Sequence, residues 1–306
     1  MSIELRVIHG SFARQVLGVN LWESLDDLDD GDQDRPVQGM QQGLGIAFSE
    51  HPVLVFRRQC LTEDELVGLG RTLGTPVEYI ERSWHSSRAE VSLVSNMRNS
   101  VGDYIGGLSS KELNWHTDQS YNAAPVTGCF LYAQVLPCDG SRTSWASLYG
   151  GYEILPNATR AKIDDAIGIF SYAARTHSVI SGKQDEQVVQ QSYAARIKAT
   201  PDVMHPLVNT HPTTGRRSLY IDPGTLIGIK DMSTRESAPL IEQLQQAATN
   251  AKNVYHHNWQ VGDLVLWDNA VTLHRRDAFA DEQTRLLKRM IIDLPPSTHI
   301  IPAQVH

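Results

Sequence analysis

The sequence predicts a mainly β fold with flanking helices, organised as a barrel or jelly roll. Three observations carry this. Short β-prone runs recur along the chain: VSLVS at 91–95, VTGCFLYAQVL at 126–136, RTSWASLY at 142–149, SLYIDP at 218–223, DLVLW at 263–267 and RMIIDL at 289–294. Gly, Pro, Asn and Asp turn residues separate them, and they are too short and scattered for a doubly wound parallel sheet. Helical periodicity is confined to stretches before and between them, as expected for helices packed on the outside of a sheet core.

Each element has its own signature. The acidic run ESLDDLDDGDQD at 23–34 reads as a solvated helix start and loop. Val53–Phe56 reads as an apolar strand that opens into the polar turn Arg57-Arg58-Gln59. Thr62 is an N-cap, with Glu65 three residues on completing a capping box, and Leu66, Leu69 and Leu73 then recur at helical spacing. Gly74 and Pro76 end that helix. Residues 100–113, with DYIGGLSS at their centre, read as either a lid over a substrate or a plain connecting loop. Two more helices are expected at roughly 159–168 and 233–250. There is no repeat and no linker, so residues 1–306 read as one domain.

Composition narrows the class. The chain has 306 residues, 41% of them apolar and 20% charged, which suffices for a sizeable core. Its 27 basic and 35 acidic residues give a net charge of −8, contrary to the basic footprint of a nucleic-acid binder. Three cysteines make no disulfide framework, and the N-terminus lacks a basic segment followed by an apolar one. No run approaches the ~18 apolar residues of a membrane span. A reduced cytoplasmic protein acting on a small molecule, with no nucleic-acid or membrane partner, is the expectation.

The chemistry concentrates at Asn114-Trp115-His116-Thr117-Asp118, the only His-x-Asp in the chain. On a strand, His116 and Asp118 face the same side. Far downstream, VGDLVLWDNAVTLHRR places His274 just beyond an apolar strand. Two histidines and one carboxylate form a facial set that suits Fe(II), leaving positions open for reactants. Zinc accepts the same ligand types, although a closed structural zinc site wants four. Arg285 and Arg289 share a strand face, where a planar guanidinium fork can hold a carboxylate.

Several segments in this order resemble the taurine / 2,4-dichlorophenoxyacetate dioxygenase (TauD/TfdA-like) family. They are Leu17-Gly18-Val19-Asn20-Leu21, the 51–76 entry HPVLVFRRQCLTEDELVGLGRTLGTP, NWHTDQSY, MHPLVNTHPTTGRRSLY and VGDLVLWDNAVTLHRR. The resemblance implies a double-stranded β-helix (jelly-roll, cupin-like) core and an Fe(II)- and 2-oxoglutarate-dependent dioxygenase. Such an enzyme uses O2, oxidises an unactivated C–H of a small, anionic substrate, and releases succinate and CO2. Hydroxylation is the default outcome, with desaturation, cyclisation or oxidative cleavage as alternatives.

Carried over residue by residue, His116, Asp118 and His274 bind iron, and Thr143 and Arg285 hold 2-oxoglutarate. Arg289 contacts the co-substrate or an anionic primary substrate. The segment Gly140-Ser141-Arg142-Thr143 departs from the family's Gly-Gly-Asp before that threonine. Tyr79, Gln119 and Arg289 line the substrate pocket. Tyr79 and Glu112 fall at positions that hold the sulfonate in taurine-cleaving members, which argues against taurine itself. The resemblance also implies a dimer or tetramer.

Two other classes compete: a non-catalytic metal-binding jelly roll and a zinc hydrolase. His205 and His211, each followed by a proline, read as structural. His256 and His257 alternate faces, so at most one points inward. Trp115 and Trp267 read as packing beside the metal strands, and Cys129 as a small core residue.

Overall fold

The computed structural model describes residues 3–10, 12–21, 36–78, 86–107, 110–175 and 197–305. The acidic run at 23–34 lies outside the described residues. In chain order the elements begin with β1 (Glu4–His9), β2 (Ala13–Leu17), α1 (Pro36–Glu50), β3 (Val53–Phe56), α2 (Glu63–Leu73) and β4 (Thr75–Pro76). Next come β5 (Val91–Ser95), β6 (Leu113–His116), β7 (Gly128–Val135), β8 (Thr143–Ser147), α3 (Leu148–Glu153), α4 (Asn157–Ile163) and β9 (Ile167–Phe170). The last are β10 (Val203–Pro206), β11 (Val208–Thr210), β12 (Arg217–Leu219), β13 (Leu226–Ile229), α5 (Thr234–Ala248), β14 (Val254–His257), β15 (Leu264–Asp268), β16 (Thr272–Arg276) and β17 (Leu286–Asp293).

Two sheets face each other, as in a jelly roll. The larger has eight strands in the order β1-β2-β3-β15-β7-β17-β4, with β5 also paired to β17. The smaller has the order β14-β8-β16-β6. Strand alternation builds three apolar layers from them. Leu54, Phe56, Phe130, Tyr132, Leu264, Leu266, Met290 and Ile292 point outward from the large sheet, onto Leu44 and Phe48 of α1 and Leu66 and Leu69 of α2. Their neighbours Val53, Val55, Cys129, Leu131, Val265, Trp267, Leu287 and Ile291 point inward and meet Trp145 and Tyr255 of the small sheet. Ala146, Leu273 and Val254, on the small sheet's other face, pack with Phe170, Leu226 and Leu244. A sheet buried on both faces explains why its strands read as unbroken apolar strings.

The helix α2 has the expected cap: Glu65 N donates to Thr62 Oγ1 at 3.2 Å, and Thr62 N donates to Glu65 Oε2 at 2.6 Å. Other expectations need correcting. The helix expected to reach 168 ends at Ile163, because Ile167–Phe170 is taken up as the central strand of a β10-β9-β13 sheet. The run 142–149 is a strand only to Ser147, whose side chain accepts from Gly150 N and starts α3. In 218–223, only the first two residues are strand.

His205 is buried on β10, with Nε2 3.0 Å from the Asn122 carbonyl. His211 sits in the turn after β11, where Nδ1 accepts from Thr213 N and Thr214 N. His256 is exposed, whereas His257 is fully buried between Tyr255 Oη and Asp263 Oδ2. His205 and His211 thus make structural contacts, and of His256 and His257 only the second points inward, as the sequence suggested. No helix among the described residues is long and apolar enough to cross a membrane.

Candidate active site

The site opens between the two sheets, and its first half hangs from the small one. In the β6–β16 pairing His116 lies directly opposite His274. Their ring centroids are 4.0 Å apart. Asp118 joins them, and one ligand atom from each of the three lies within 4.8 Å of the others. His116 Nδ1 sits 2.8 Å from the Asn114 carbonyl. A proton there leaves the Nε2 lone pair facing Asp118 Oδ1, 3.7 Å away.

Strand geometry does not by itself place Asp118. The strand ends at His116, and Asp118 opens a turn in which Gln119 takes the left-handed conformation, φ 59°. Asn269 fixes that turn. Its Oδ1 accepts from Asp118 N at 3.0 Å, and its Nδ2 donates to the carbonyls of Asp118 and Val126 at 3.0 and 2.9 Å. Its own carbonyl accepts from Thr117 Oγ1 at 2.6 Å. One buried amide thus does for Asp118 what a paired strand does for His116. Its only trace in the sequence is its place: Asn269 follows the apolar strand and precedes His274.

The protonation states suit a metal. Burial drives both imidazoles down, to about 3 for His116 and about 4 for His274, so each is neutral at pH 7. Burial opposes ionisation of Asp118, but Arg289 and the two histidines outweigh it and hold the carboxyl well below its ordinary range. Two neutral imidazoles and one carboxylate are the donor set that Fe(II) takes with open positions. Trp267 packs 5.1 Å from His274 by ring centroids, and Arg275 lies 5.2 Å over Trp115.

The second half comes from both sheets. Arg285 immediately precedes β17 and is 1% exposed. Its Nε has no hydrogen-bond partner among the described residues, and burial lowers its pKa to about 9. Such a guanidinium suits an anion brought in from solvent. Arg289, four residues on, points its Nη1 at Asp118 Oδ2, 3.2 Å away. Arg289 is thus an ion-pair partner of a candidate metal ligand.

Thr143, 2% exposed at the start of β8, accepts from Trp259 Nε1 at 2.9 Å. The loop before it departs from the family pattern at Arg142, and the structure shows the compensation. Arg142 Nη2 pairs with Asp277 Oδ2 at 2.9 Å, while Asp277 N donates to the Arg142 carbonyl at 2.9 Å.

Other expected site residues fare differently. Gln119 is half-buried beside Asp118 and accepts from Asn122 Nδ2. Tyr79 lies outside the described residues. Glu112 pairs with Arg275 at 3.6 Å, on the face of β16 opposite to His274, so it does not put a carboxylate beside the metal ligands. In the 100–113 segment, Ile105 N donates to the Met97 carbonyl and Gly107 N to the Leu93 carbonyl, which ties 105–107 to the β5 region. Residues 108 and 109 lie outside the described residues. Arg175, which sequence reasoning passed over, adds positive charge near His116, Asp118 and His274, with its guanidinium 5.8 Å from the Tyr121 ring.

Residues 26–291 match the family model described as "Taurine catabolism dioxygenase TauD, TfdA family". The chain belongs to that family. It is 30% identical over 261 residues to the pentalenolactone F synthase of Streptomyces avermitilis, covering 80% of this chain and 82% of that one. It is 28% identical over 305 residues to the alpha-ketoglutarate-dependent 2,4-dichlorophenoxyacetate dioxygenase of Cupriavidus pinatubonensis, covering 94% and 97%. The crystal structure of AAD-2 with Mn(II) and N-oxalylglycine superposes with a TM-score of 0.74 at 26% identity, over 96% of this chain and 98% of that one. The family member is thus an oxidoreductase that depends on Fe(II), 2-oxoglutarate and O2.

Proposed function

We propose that this dioxygenase hydroxylates an unactivated C–H of a small anionic organic molecule, with His116, Asp118 and His274 holding the iron and Thr143 and Arg285 holding the far carboxylate of 2-oxoglutarate. The observation that carries the reading is the pairing of a preformed His-His-Asp cluster with a buried guanidinium at Arg285. Iron bound there would supply the oxidising chemistry at the expense of 2-oxoglutarate and O2, with succinate and CO2 as products. The chain's own residues bind, orient and shield. Arg289 keeps Asp118 ionised, Asn269 fixes its direction, and Trp267, Trp145, Leu131 and Leu287 wall the interior from water. Arg289 and Arg175 also give the substrate side a positive potential, which favours an anionic substrate.

The reading takes residues 1–306 as one catalytic domain, because a single hydrogen-bonded sheet runs from β1 to β17. It also takes the protein as cytoplasmic and as a dimer or tetramer, which sedimentation tests. A zinc hydrolase or a non-catalytic jelly roll would leave the buried charge of Arg285 without a purpose.

The deciding experiment is anaerobic absorption spectroscopy on metal-free protein, to which Fe(II) and then 2-oxoglutarate are added. A visible charge-transfer band is expected in the wild type. It should be lost with His116→Ala and should need more 2-oxoglutarate with Arg285→Ala. Iron binding without a band would overturn the reading. A substrate screen then follows perturbation of the band and coupled succinate release.

A further inference from the structure

Arg276 is a buried cation with no part in the proposed function. It is 5% exposed, two residues beyond His274 on β16. Residues i and i+2 of a strand share a face, so it points into the same interior as His274. The β16–β8 register confirms the layering: His274 lies opposite Trp145, and Arg276 lies opposite Thr143. One of its amino groups donates to the Lys111 carbonyl, and its guanidinium lies 5.4 Å from the Phe279 ring. Its Nε and Nη1 are buried and have no hydrogen-bond partner among the described residues, as is also true of Arg285 Nε. The two guanidiniums are close enough for Arg276 to depress the ionisation of Arg285, on top of the effect of burial.

Two buried like charges with three unpartnered N–H groups between them carry a desolvation and repulsion cost that one anion would remove. We propose that Arg276 is a second guanidinium for the far carboxylate of 2-oxoglutarate, closing on it from the small sheet as Arg285 does from the large one, with Thr143 beside it. This rests on the proposed function above. A carboxylate has lone pairs enough for two planar forks, and the paired charge selects a 2-oxo diacid over a 2-oxo monoacid.

The test compares 2-oxoglutarate with 2-oxopentanoate, which has the same chain length and no far carboxylate. Each is titrated into the anaerobic Fe(II) protein and followed by the charge-transfer band. Arg276→Gln and Arg285→Gln are each expected to weaken 2-oxoglutarate at least tenfold and to leave 2-oxopentanoate within about twofold. Wild-type-like binding of 2-oxoglutarate by Arg276→Gln would overturn the assignment. Equal weakening of both acids would also overturn it, since Arg276 would then act only through its anchor to Lys111. Selective loss in Arg285→Gln alone rejects Arg276 and leaves the underlying function intact. No band in the wild type rejects both. Should Arg276→Gln fail to fold, Arg276→Lys keeps the charge and loses the fork. A selective loss of 2-oxoglutarate affinity is expected there, and its absence counts against the proposal.

Discussion

Arg142 and Asp277 form an ion pair across two loops, one leading into Thr143 and the other leading out of His274. The bond couples the candidate co-substrate threonine to the strand that carries a candidate metal ligand. Both side chains are about a third exposed, at 39% and 28%, so their coupling contributes little to stability, about 1 kcal/mol or less. A double-mutant cycle with Arg142→Ala and Asp277→Ala should read it more clearly in 2-oxoglutarate affinity. Each single variant is expected to lose a few-fold and the double variant no more than either. Additive losses would mean that the two loops act independently.

Asn269 holds Asp118 in place of a strand. Asn269→Ala leaves Asp118 N and the carbonyls of Asp118 and Val126 without their partner. The expected costs are on the order of 2–4 kcal/mol of stability and about 10–100-fold in Mn(II) affinity. Urea unfolding and calorimetric Mn(II) titration measure the two separately. A stable variant with unchanged metal affinity would show that Asp118 is placed by the turn alone.

Gly106 lies against β5 so closely that an added Cβ would meet the Leu93 carbonyl oxygen at 2.5 Å and Ser95 N at 2.8 Å. Gly106→Ala should therefore detach or distort the 105–107 segment, at about 1–3 kcal/mol by thermal melting. Gly45, inside α1, meets nothing within 4 Å at its Cβ position. Gly45→Ala should move stability the other way, by about 0.5–1 kcal/mol.

Asp268 is fully buried, and burial pushes its pKa up to about 8 even though Ala270 N donates to it at 2.9 Å. The unfolded carboxyl releases its proton near pH 4. Between about pH 4 and 8 the native state therefore holds a proton that the unfolded chain does not, and this group's contribution to stability falls as pH rises through that window. Asp268→Asn keeps the acceptor and removes the titration. The buried histidines, neutral in the native state, pull the other way, so the expected signature is the difference: from pH 5 to 8 the slope of the urea midpoint against pH should be more positive in the variant than in the wild type.

The inner strands of the large sheet were legible because both faces are buried, so VLVF and GCFLYA carry unbroken apolar character. The cap of α2 was legible because Thr62 and Glu65 state it locally. The helix α1 was not, since PVQGMQQGLGIAFSE contains three glycines and only a loose apolar stripe. Strand β1 was missed because ELRVIH is an exposed or half-buried edge. Within the site, the three residues of the candidate metal cluster were singled out by spacing and resemblance, and the fold brings them together. Asn269, Trp259 and Arg276 were not, because their roles depend on contacts across strands far apart in sequence. Arg276 left one usable trace: alternation along β16 separates it from its neighbour Arg275 and puts it on the face of His274.

His116 and His274 lie on the four-stranded sheet and Asp118 follows the first of them, whereas Arg289 lies on β17 of the eight-stranded sheet and Arg285 immediately precedes it. The candidate metal ligands and Arg285 thus sit on opposite jaws of the sandwich, while Thr143 and Arg276 reach the second half of the centre from the small sheet. A small sliding of one sheet over the other would change the reach from His116 and His274 to Arg285 without breaking a single strand pair. On the Arg285 side the sandwich works as a caliper, and the registration of its two walls sets the span between the candidate metal ligands and that guanidinium. Core substitutions between the sheets, at Leu131, Val265 or Leu287, are therefore adjustments to that gauge even though none of these side chains carries a polar group.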